Sequence, residues 1–417
     1  MSLIDRLLER RGTLAAPSQW LTSAFGSAAT SAGVSVSEET ALGHPAVWRA
    51  VTLISSTVAT LPLKVYRRLP DGGRVAEVAH PLYRVLHESA NAEMSALTFR
   101  ETLQRDLCLY GNAFAQVERQ GTRIVALWPL QARRMTLQRD KDRRLVYTYR
   151  TETDRFSWTL AGPQAPILHL RAHSIDGVVG RSPIQVARDA VGGAMAAEQH
   201  GHRFFGNGAA PGGVLQGPRG ARLTDQAHQR LRSSWDAAHR GVSRAHRVAL
   251  LEDGWTWNPI GVANRDAQWL ESRQANIVDI ARLFGLPPAA LYDLDKATYS
   301  NTEQQALQFA REIAVWLDRW TSELQRTLIR SDLHYAAFTM AALVRGDLAS
   351  RYQAYSTGRQ WGWLSVNEIR QLENLNAIEG GDTYVQPLNM ADIQTPAPRA
   401  AVDPDELRLL AGVEEMQ

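Results

Sequence analysis

The sequence predicts an α+β fold, in which a mixed block of helices and short antiparallel strands precedes a mainly helical remainder. Three observations carry that expectation. Between residues 113 and 170, six short runs alternate apolar and polar side chains with turn residues between them, the period-two mark of strands. On either side, apolar residues recur at three- and four-residue spacing, the mark of helices. Ser182-Pro183 divides the two patterns, since proline suits the first turn of a helix.

Taken in order, residues 2–11 place Leu3, Ile4, Leu7 and Leu8 on one face of a short amphipathic helix. From Gly12 to Ser37 no residue is charged, and 19 of the 26 positions are Gly, Ala, Ser, Thr or Pro. Such a stretch buries too little apolar surface to offset its ordering, so a flexible arm is expected, ordered only by docking on a neighbour. Order is expected from His44 onward. Pro45 opens a helix with Val47, Val51, Ile54, Val58 and Leu61 on one face. Residues 63–67 and 74–78 flank Asp71-Gly72-Gly73 and read as a hairpin. A helix striped by Phe99, Leu103, Leu107 and Tyr110 ends near Gly111-Asn112. The six strands then cover 113–118, 123–128, 133–138, 145–150, 155–160 and 166–170.

Residues 183–205 read as one helix ending at Gly206. A strand at Gly213-Val-Leu-Gln216, a helix from Thr224, a strand at 246–251 and an Asp253-Gly254 turn into Trp255-Thr-Trp257 make a strand–helix–strand insert. Another helix, 264–284, follows it. Leu270, Ile277, Ile280, Ala281 and Phe284 are its apolar marks. Its first half carries only scattered apolar groups, so much of its circumference must face water or polar neighbours. Gly285-Leu-Pro-Pro288 ends it. After a polar loop, Ser300-Asn-Thr-Glu303 fits a capping box for a helix to about Arg330, roughly 42 Å long and thus a spine. A second box, Ser365-Val-Asn-Glu368, opens a helix after residues 347–361. The tail from Gln394 carries Pro396, Pro398 and Pro404 among mostly acidic groups and is expected to be loose.

Composition excludes several function classes. The chain has 417 residues, 44% of them hydrophobic, enough for two to four domains with sizeable cores. No run approaches the roughly 18 apolar residues of a membrane span, and the charged N-terminus is unlike a secretory signal. A soluble chain, intracellular at synthesis and without membrane contact, is expected. Lys64, Lys141 and Lys296 are its lysines, so 43 of the 46 Lys+Arg residues are arginines. None of the three lysines follows a glycine, which excludes a P-loop. There is no HExxH run, and Gly241-Val-Ser-Arg-Ala245 lacks the second glycine of a nucleophile elbow. His200 and His202 flank Gly201 without acidic or third-histidine partners and read as surface residues. Asp293 and Asp295 read as turn chemistry. Cys108, the single cysteine, excludes an internal disulfide and lies on an apolar helix face as a structural thiol. No catalytic set, cofactor or metal site is implied.

The net charge of +3 hides a polarity. Residues 119–155 hold ten basic and four acidic groups, and 203–247 hold eight basic and two acidic. Residues 363–417 hold three basic and ten acidic. Such asymmetry points to distinct surfaces for distinct partners.

Several runs, in order, resemble one family. They are Phe204-Phe205-Gly-Asn207-Gly208-Ala-Ala-Pro211-Gly-Gly213-Val-Leu215, Leu251-Glu-Asp-Gly254-Trp-Thr-Trp257, Asp266-Ala-Gln268-Trp-Leu-Glu271-Ser-Arg273 and Ile280-Ala-Arg-Leu-Phe284-Gly285-Leu-Pro287-Pro288. Tyr299-Ser300-Asn301-Thr-Glu303, Ser365-Val-Asn367-Glu368-Ile-Arg370 and Gly380-Gly-Asp382 complete the set. Each is weak alone, but their order and spacing across about 180–385 are specific. The chain resembles the portal, or head-to-tail connector, proteins of long-tailed double-stranded-DNA bacteriophages and related gene transfer particles. It departs from their pattern at Leu286, where valine is common, and at Leu291-Tyr292-Asp293, where glycine often follows the leucine.

The resemblance implies a portal fold: a flexible N-terminal arm (1–43), an α+β wing (44–181), a first stem helix (182–206), a clip (207–262) and a second stem helix (263–285). A channel loop (286–302), a spine helix returning to the wing (303–345), a helical crown (346–393) and a loose acidic tail (394–417) follow. It implies a ring of twelve copies at one capsid vertex of the virion, assembled in the host cytoplasm, through which double-stranded DNA is packaged and ejected. The implied partners are the major capsid protein, the terminase large subunit that drives packaging, and a head–tail adaptor. The DNA-facing loop would comprise Asp293, Asp295, Lys296, Ala297, Thr298, Tyr299, Ser300 and Asn301. Docking on the clip would use Arg219, Arg222, Arg230, Arg232, Arg240, Arg244 and Arg247, and the second stem helix would present Asp266, Gln268, Glu271 and Arg273. Dense arginine on a channel wall would grip phosphate, so most arginines are expected on wing, clip and subunit interfaces. The alternative is a monomeric or low-order double-stranded-DNA-binding structural protein that grips duplex through the basic 119–155 strands. An enzyme of unrecognised type is a third reading.

Overall fold

A computed structural model describes residues 30–70, 72–160, 164–206, 213–217, 224–227, 229–230, 233, 255–259, 265–293, 299–340, 348–373 and 375–385. The chain divides into two units, 1–343 and 344–417.

The first unit begins with a short capped helix, α1 (Glu38–Ala41). Ser37 and Thr40 close a capping box, Ser37 N donating to Thr40 Oγ1 at 2.8 Å and Thr40 N to Ser37 Oγ at 3.1 Å. Val36 and Ala41 are buried in the main core. Thr30 lies so close to Gly192 that a Cβ there would collide with it, and Ser31 N donates to Asp189 Oδ1 at 3.1 Å. The arm expected to stay flexible to residue 43 is therefore corrected over 30–43. Two buried apolar side chains and a satisfied cap order it on its own chain rather than on a neighbour. Residues 1–29 lie outside the described residues.

The next elements follow the sequence pattern. Helix α2 (Pro45–Thr60) is capped by the His44 side chain, which accepts from Ala46 N, and it buries Val47, Val51, Ile54 and Val58. Strands β1 (Leu63–Arg68) and β2 (Arg74–Ala76) pair antiparallel. Helix α3 (Pro81–His87) and helix α4 (Ala96–Tyr110) come next. Gly111 ends α4 at φ 71°, where a Cβ would strike the Arg181 carbonyl, so the stop requires glycine twice over.

The six alternating runs are strands β3 (Asn112–Gln120), β4 (Arg123–Leu130), β5 (Met135–Arg139), β6 (Leu145–Arg150), β7 (Arg155–Thr159) and β8 (Ile167–Arg171). They form two antiparallel sheets, ordered β4-β3-β8 and β5-β6-β7. In the second sheet Leu137, Tyr147 and Trp158 are in register, and this apolar face packs on Phe114, Leu130 and Ile167 as a second core. The other face is Thr136, Thr148 and Ser157, as period two demands.

The single helix expected over 183–205 is two pieces, α5 (Pro183–Val186) and α6 (Arg188–Gly206), broken at Ala187 (φ −103°, ψ 30°). The Ser182 Oγ accepts from Gln185 N to cap α5 and donates to Leu109 O, tying that turn to the end of α4. Strand β9 (Gly213–Gln216) pairs antiparallel with β10 (Thr256–Pro259), Leu215 opposite Trp257. The expected strand 246–251 and the Asp253-Gly254 turn lie outside the described residues.

Helix α7 (Arg265–Phe284) ends where Gly285 turns left-handed at φ 68°. Helix α8 (Tyr299–Leu324) already includes Ser300, which is therefore in its first turn and not its cap. Polar side chains satisfy first-turn N–H groups as well as cap positions, so the motif places the boundary only to within a residue or two. A five-residue π-turn, Gln325–Ile329, follows, with Arg330 N bonding back to Gln325 O at 2.9 Å and Arg330 left-handed at φ 50°. Strand β11 (His334–Phe338), not foreseen from periodicity, then joins β1 antiparallel with Leu63 opposite Phe338.

The main core gathers α2, α4 and α8. Trp320 is fully buried, edge-on to Phe99 with ring centroids 6.4 Å apart. In the C-terminal unit, helix α9 (Leu348–Gln360) precedes helix α10 (Val366–Leu372), which Ser365 and Glu368 cap as their spacing predicts.

Candidate channel-facing and docking surfaces

Helices α6 and α7 pack together. Along α7 the environment changes sharply. Glu271, Ser272, Arg273, Gln274 and Ala275 are all exposed, whereas Ile280, Ala281 and Phe284 are buried in the main core. Five consecutive exposed residues subtend more than a full helical turn, so over Glu271–Ala275 the helix is exposed around its circumference within one chain. The scattered apolar groups of its sequence are the cause. His44, at the start of α2, feels both Glu198 of α6 and Arg273 of α7; burial pushes its pKa below the ordinary value.

The expected site residues fall as follows. Glu271 and Arg273 are exposed on α7, and Asp266 and Gln268 belong to its first turns. Asp293 is half-buried, with its N–H donating to Pro288 O at 3.2 Å. Tyr299, Ser300 and Asn301 form the first turn of α8. Asp295, Lys296, Ala297 and Thr298 lie outside the described residues. Arg230 is exposed, its Nε donating to Gln226 O at 3.4 Å. Arg219, Arg222, Arg232, Arg240, Arg244 and Arg247 lie outside the described residues. His200 and His202 are exposed on α6, and Cys108 is wholly buried, its thiol pushed up to about 12 by desolvation.

Where residues 286–293 leave the core, the backbone explains a departure in the sequence. Tyr292 is left-handed at φ 64°, the conformation that favours glycine. Arg49 offsets that cost by lying over the Tyr292 ring, 4.8 Å from its centroid, while its Nε donates to Ala290 O at 3.4 Å. Sequence reasoning noted the missing glycine but had no means to find Arg49, which is 243 positions away.

Further along, α8 is locked to the strands by ionic contacts. Glu323 accepts from Arg171 of β8 and pairs with Arg326 at 2.8 Å, and Arg319 Nη1 donates to Arg171 O at 3.3 Å. Beneath them His169 bridges Tyr147 OH at 3.3 Å and Asn112 Oδ1 at 3.0 Å. Desolvation first, then the Arg171 and Arg326 charges, push His169 down to about 3, so its ring is neutral and structural. Ser331 Oγ lies 3.3 Å from His334 Nδ1, but that oxygen also accepts from Leu333 N and His334 N, which makes it a turn-forming hydroxyl rather than an activated nucleophile.

A family described as "Phage portal protein" matches the chain over residues 45–374, from the first turn of α2 past the end of α10. The chain belongs to the phage portal protein family. The portal protein of Enterobacteria phage HK97 is 33% identical over 361 residues, covering 84% of this chain and 83% of its own. A probable portal protein of Streptomyces phage phiC31 is 32% identical over 381 residues, covering 88% and 82%. Among solved structures, a chain from the neck of a native gene transfer agent particle, computed with C12 symmetry, shares the fold. Its TM-score is 0.56 at 23% identity, covering 86% of this chain and 100% of that one. Portal proteins are structural components of particles.

Proposed function

We propose that this portal chain assembles as a ring of twelve copies at one capsid vertex, its channel passing double-stranded DNA during packaging and ejection. The observation that carries the reading is α7, a helix water-exposed all round over Glu271–Ala275 and core-packed only from Ile280. A helix of that kind is costly in a monomer and natural beside a water-filled channel flanked by neighbouring copies. In this arrangement α6 and α7 form the stem, β9 and β10 with the segment between them the clip, and the second unit the crown. The clip arginines dock the terminase large subunit and later the head–tail adaptor, and the wing meets the major capsid protein.

A conduit must not hold its cargo, because each phosphate neutralised by a cation adds salt-dependent affinity. Several arginines of the first unit support this reading by being occupied within the protein. Arg100, Arg119 and Arg171 donate to backbone carbonyls, and Arg67 and Arg133 pair with Glu77 and Glu39. Electron microscopy of the purified chain tests the proposal, with rings around a central hole as the expected image. A monomer binding duplex tightly and salt-sensitively would support instead the DNA-gripping alternative.

A further inference from the structure

The β5-β6-β7 sheet ends in an open strand. β7 is its last member, and Arg155, Phe156, Ser157 and Thr159 are all exposed. Hydrogen-bond parity shows which backbone groups are free. Leu160 N donates to Leu145 O at 2.8 Å and Thr151 N to Asp154 O at 2.9 Å, so even-numbered residues of β7 turn their N–H and C=O toward β6. Successive residues alternate sides, so Arg155, Ser157 and Thr159 turn theirs outward. Those outward groups have no partner among the described residues. A row of unpaired donors and acceptors is a template for another strand.

The two faces beside this edge differ in chemistry. On one, Arg150 and Arg155 stand directly opposite each other, in the non-hydrogen-bonded type of pair that brings side chains closest. Like charges so placed are destabilising. The turn that joins them holds two acids, but Glu152 pairs with Arg134 at 3.6 Å and Asp154 Oδ2 accepts from Thr153 Oγ1 at 2.7 Å. Neither Arg150 nor Arg155 has an ion pair among the described residues. On the other face Phe156 stacks on Trp158, ring centroids 6.1 Å apart. Trp158 joins the second core, whereas Phe156 stays 47% exposed. The stretch 119–155 around this edge carries ten basic groups against four acidic.

We infer that β7 takes up an extended segment of a partner protein as an added strand, one in which acidic and apolar side chains alternate. The inference does not depend on the ring reading. Main-chain bonds to Arg155, Ser157 and Thr159 supply affinity, and side chains on alternate positions supply specificity. Carboxylates on one side of the segment neutralise Arg155 and relieve its repulsion with Arg150. Apolar side chains on the other side cover Phe156. Duplex DNA meets only the arginines, because phosphate accepts hydrogen bonds and cannot donate to the outward carbonyls. A second copy of the same edge would add arginines to a site already in excess of positive charge.

Fluorescence anisotropy with the full chain at low salt tests this. The probe is a fluorescein-labelled peptide of about eight alternating glutamate and valine residues, a common strand length. Binding is expected, weakened about tenfold when Arg150→Gln and Arg155→Gln are combined. Residues paired across a ladder share a face, so the glutamates opposite Arg155 and Ser157 are the ones whose N–H groups meet β7. N-methylation of the glutamates should therefore weaken binding about tenfold, and N-methylation of the valines hardly at all. Ser157→Pro removes an outward N–H and no bond to β6, so it should abolish binding while β6-β7 pairing, read by hydrogen exchange, persists. No binding of the unmodified peptide, or equal affinity for its two N-methylated forms, would overturn the inference. Displacement of the peptide by duplex DNA at equal charge concentration would overturn it too. So would self-association of the chain that Ser157→Pro abolishes, which would make a second copy the occupant.

Discussion

The indole N–H of Trp320 donates to Oε1 of Gln104 at 2.8 Å inside the main core, joining α8 to α4 across 216 positions. Both side chains are fully buried, and Gln104 Nε2 is spent on Cys108 Sγ. Trp320→Phe should therefore strand an acceptor and cost about 1–3 kcal/mol, read by chemical unfolding. Gln104→Met removes the stranded group, so the double variant should lose less than the sum of the singles. Strict additivity would show that the two residues are not coupled.

Arg100 is buried without a carboxylate. Its guanidinium donates to Ala59 O from Nε at 3.2 Å and Nη2 at 2.6 Å, and to Leu86 O from Nη1 at 2.6 Å. It closes the C-terminal turns of α2 and α3, where carbonyls lack partners and the helix dipole favours a cation. Burial lowers its pKa to about 10, which still leaves it charged. Arg100→Met should cost about 3 kcal/mol, and Arg100→Lys should recover little because an ammonium lacks the fork that serves two carbonyls. Full recovery by lysine in a thermal-unfolding assay would contradict this account.

His169 makes stability depend on acid. Its folded pKa, about 3, lies below the ordinary 6.5. As pH falls through 6.5 the unfolded chain takes up a proton that the folded chain refuses. Stability from this group is complete above 6.5 and is lost progressively down to about 3, at no more than about 1.4 kcal/mol per pH unit. His169→Gln should flatten this part of the unfolding free energy against pH, measured with urea from pH 7 to 4. An unchanged slope would assign the acid sensitivity elsewhere.

At Tyr292 the backbone and the side chain pull in opposite directions. Tyr292→Gly relieves the left-handed conformation but gives up the Arg49 contact, so its net effect should lie within about 1 kcal/mol of zero. Tyr292→Val keeps the conformational cost, raises it by β-branching, and loses the ring. It should be destabilising by about 1–2 kcal/mol, and equal melting temperatures for the two variants would argue against the strain.

The clip proposal predicts a defect without unfolding. Arg244→Glu with Arg247→Glu should reduce DNA packaging or tail joining while leaving the melting temperature and ring formation unchanged. Particle yield equal to the parent's would remove these arginines from the docking surface.

Much of this architecture was legible along the chain. Period-two runs became β3 to β8, period-3.6 stripes became α2, α4, α7 and α8, and the Ser365 box became a cap, because each depends on neighbours within four residues. The exposed stretch Glu271–Ala275 of α7 was readable too, since a helix segment poor in apolar groups has little to bury wherever it sits. The rest was not local. Periodicity carries no trace of Thr30 seated on Gly192, of Ser182 tied to Leu109 O, or of β11 completing the sheet of β1. Each needs a partner tens to hundreds of residues away, and a short polar or mixed segment is neutral until that partner is present. The sequence by itself thus determined the element types, the family and the uneven placement of charge. Tertiary structure alone decided how the arm is ordered, where Arg49 meets Tyr292, and which edge of the β5-β6-β7 sheet stays open, because contact is a property of the assembled surface and not of the chain.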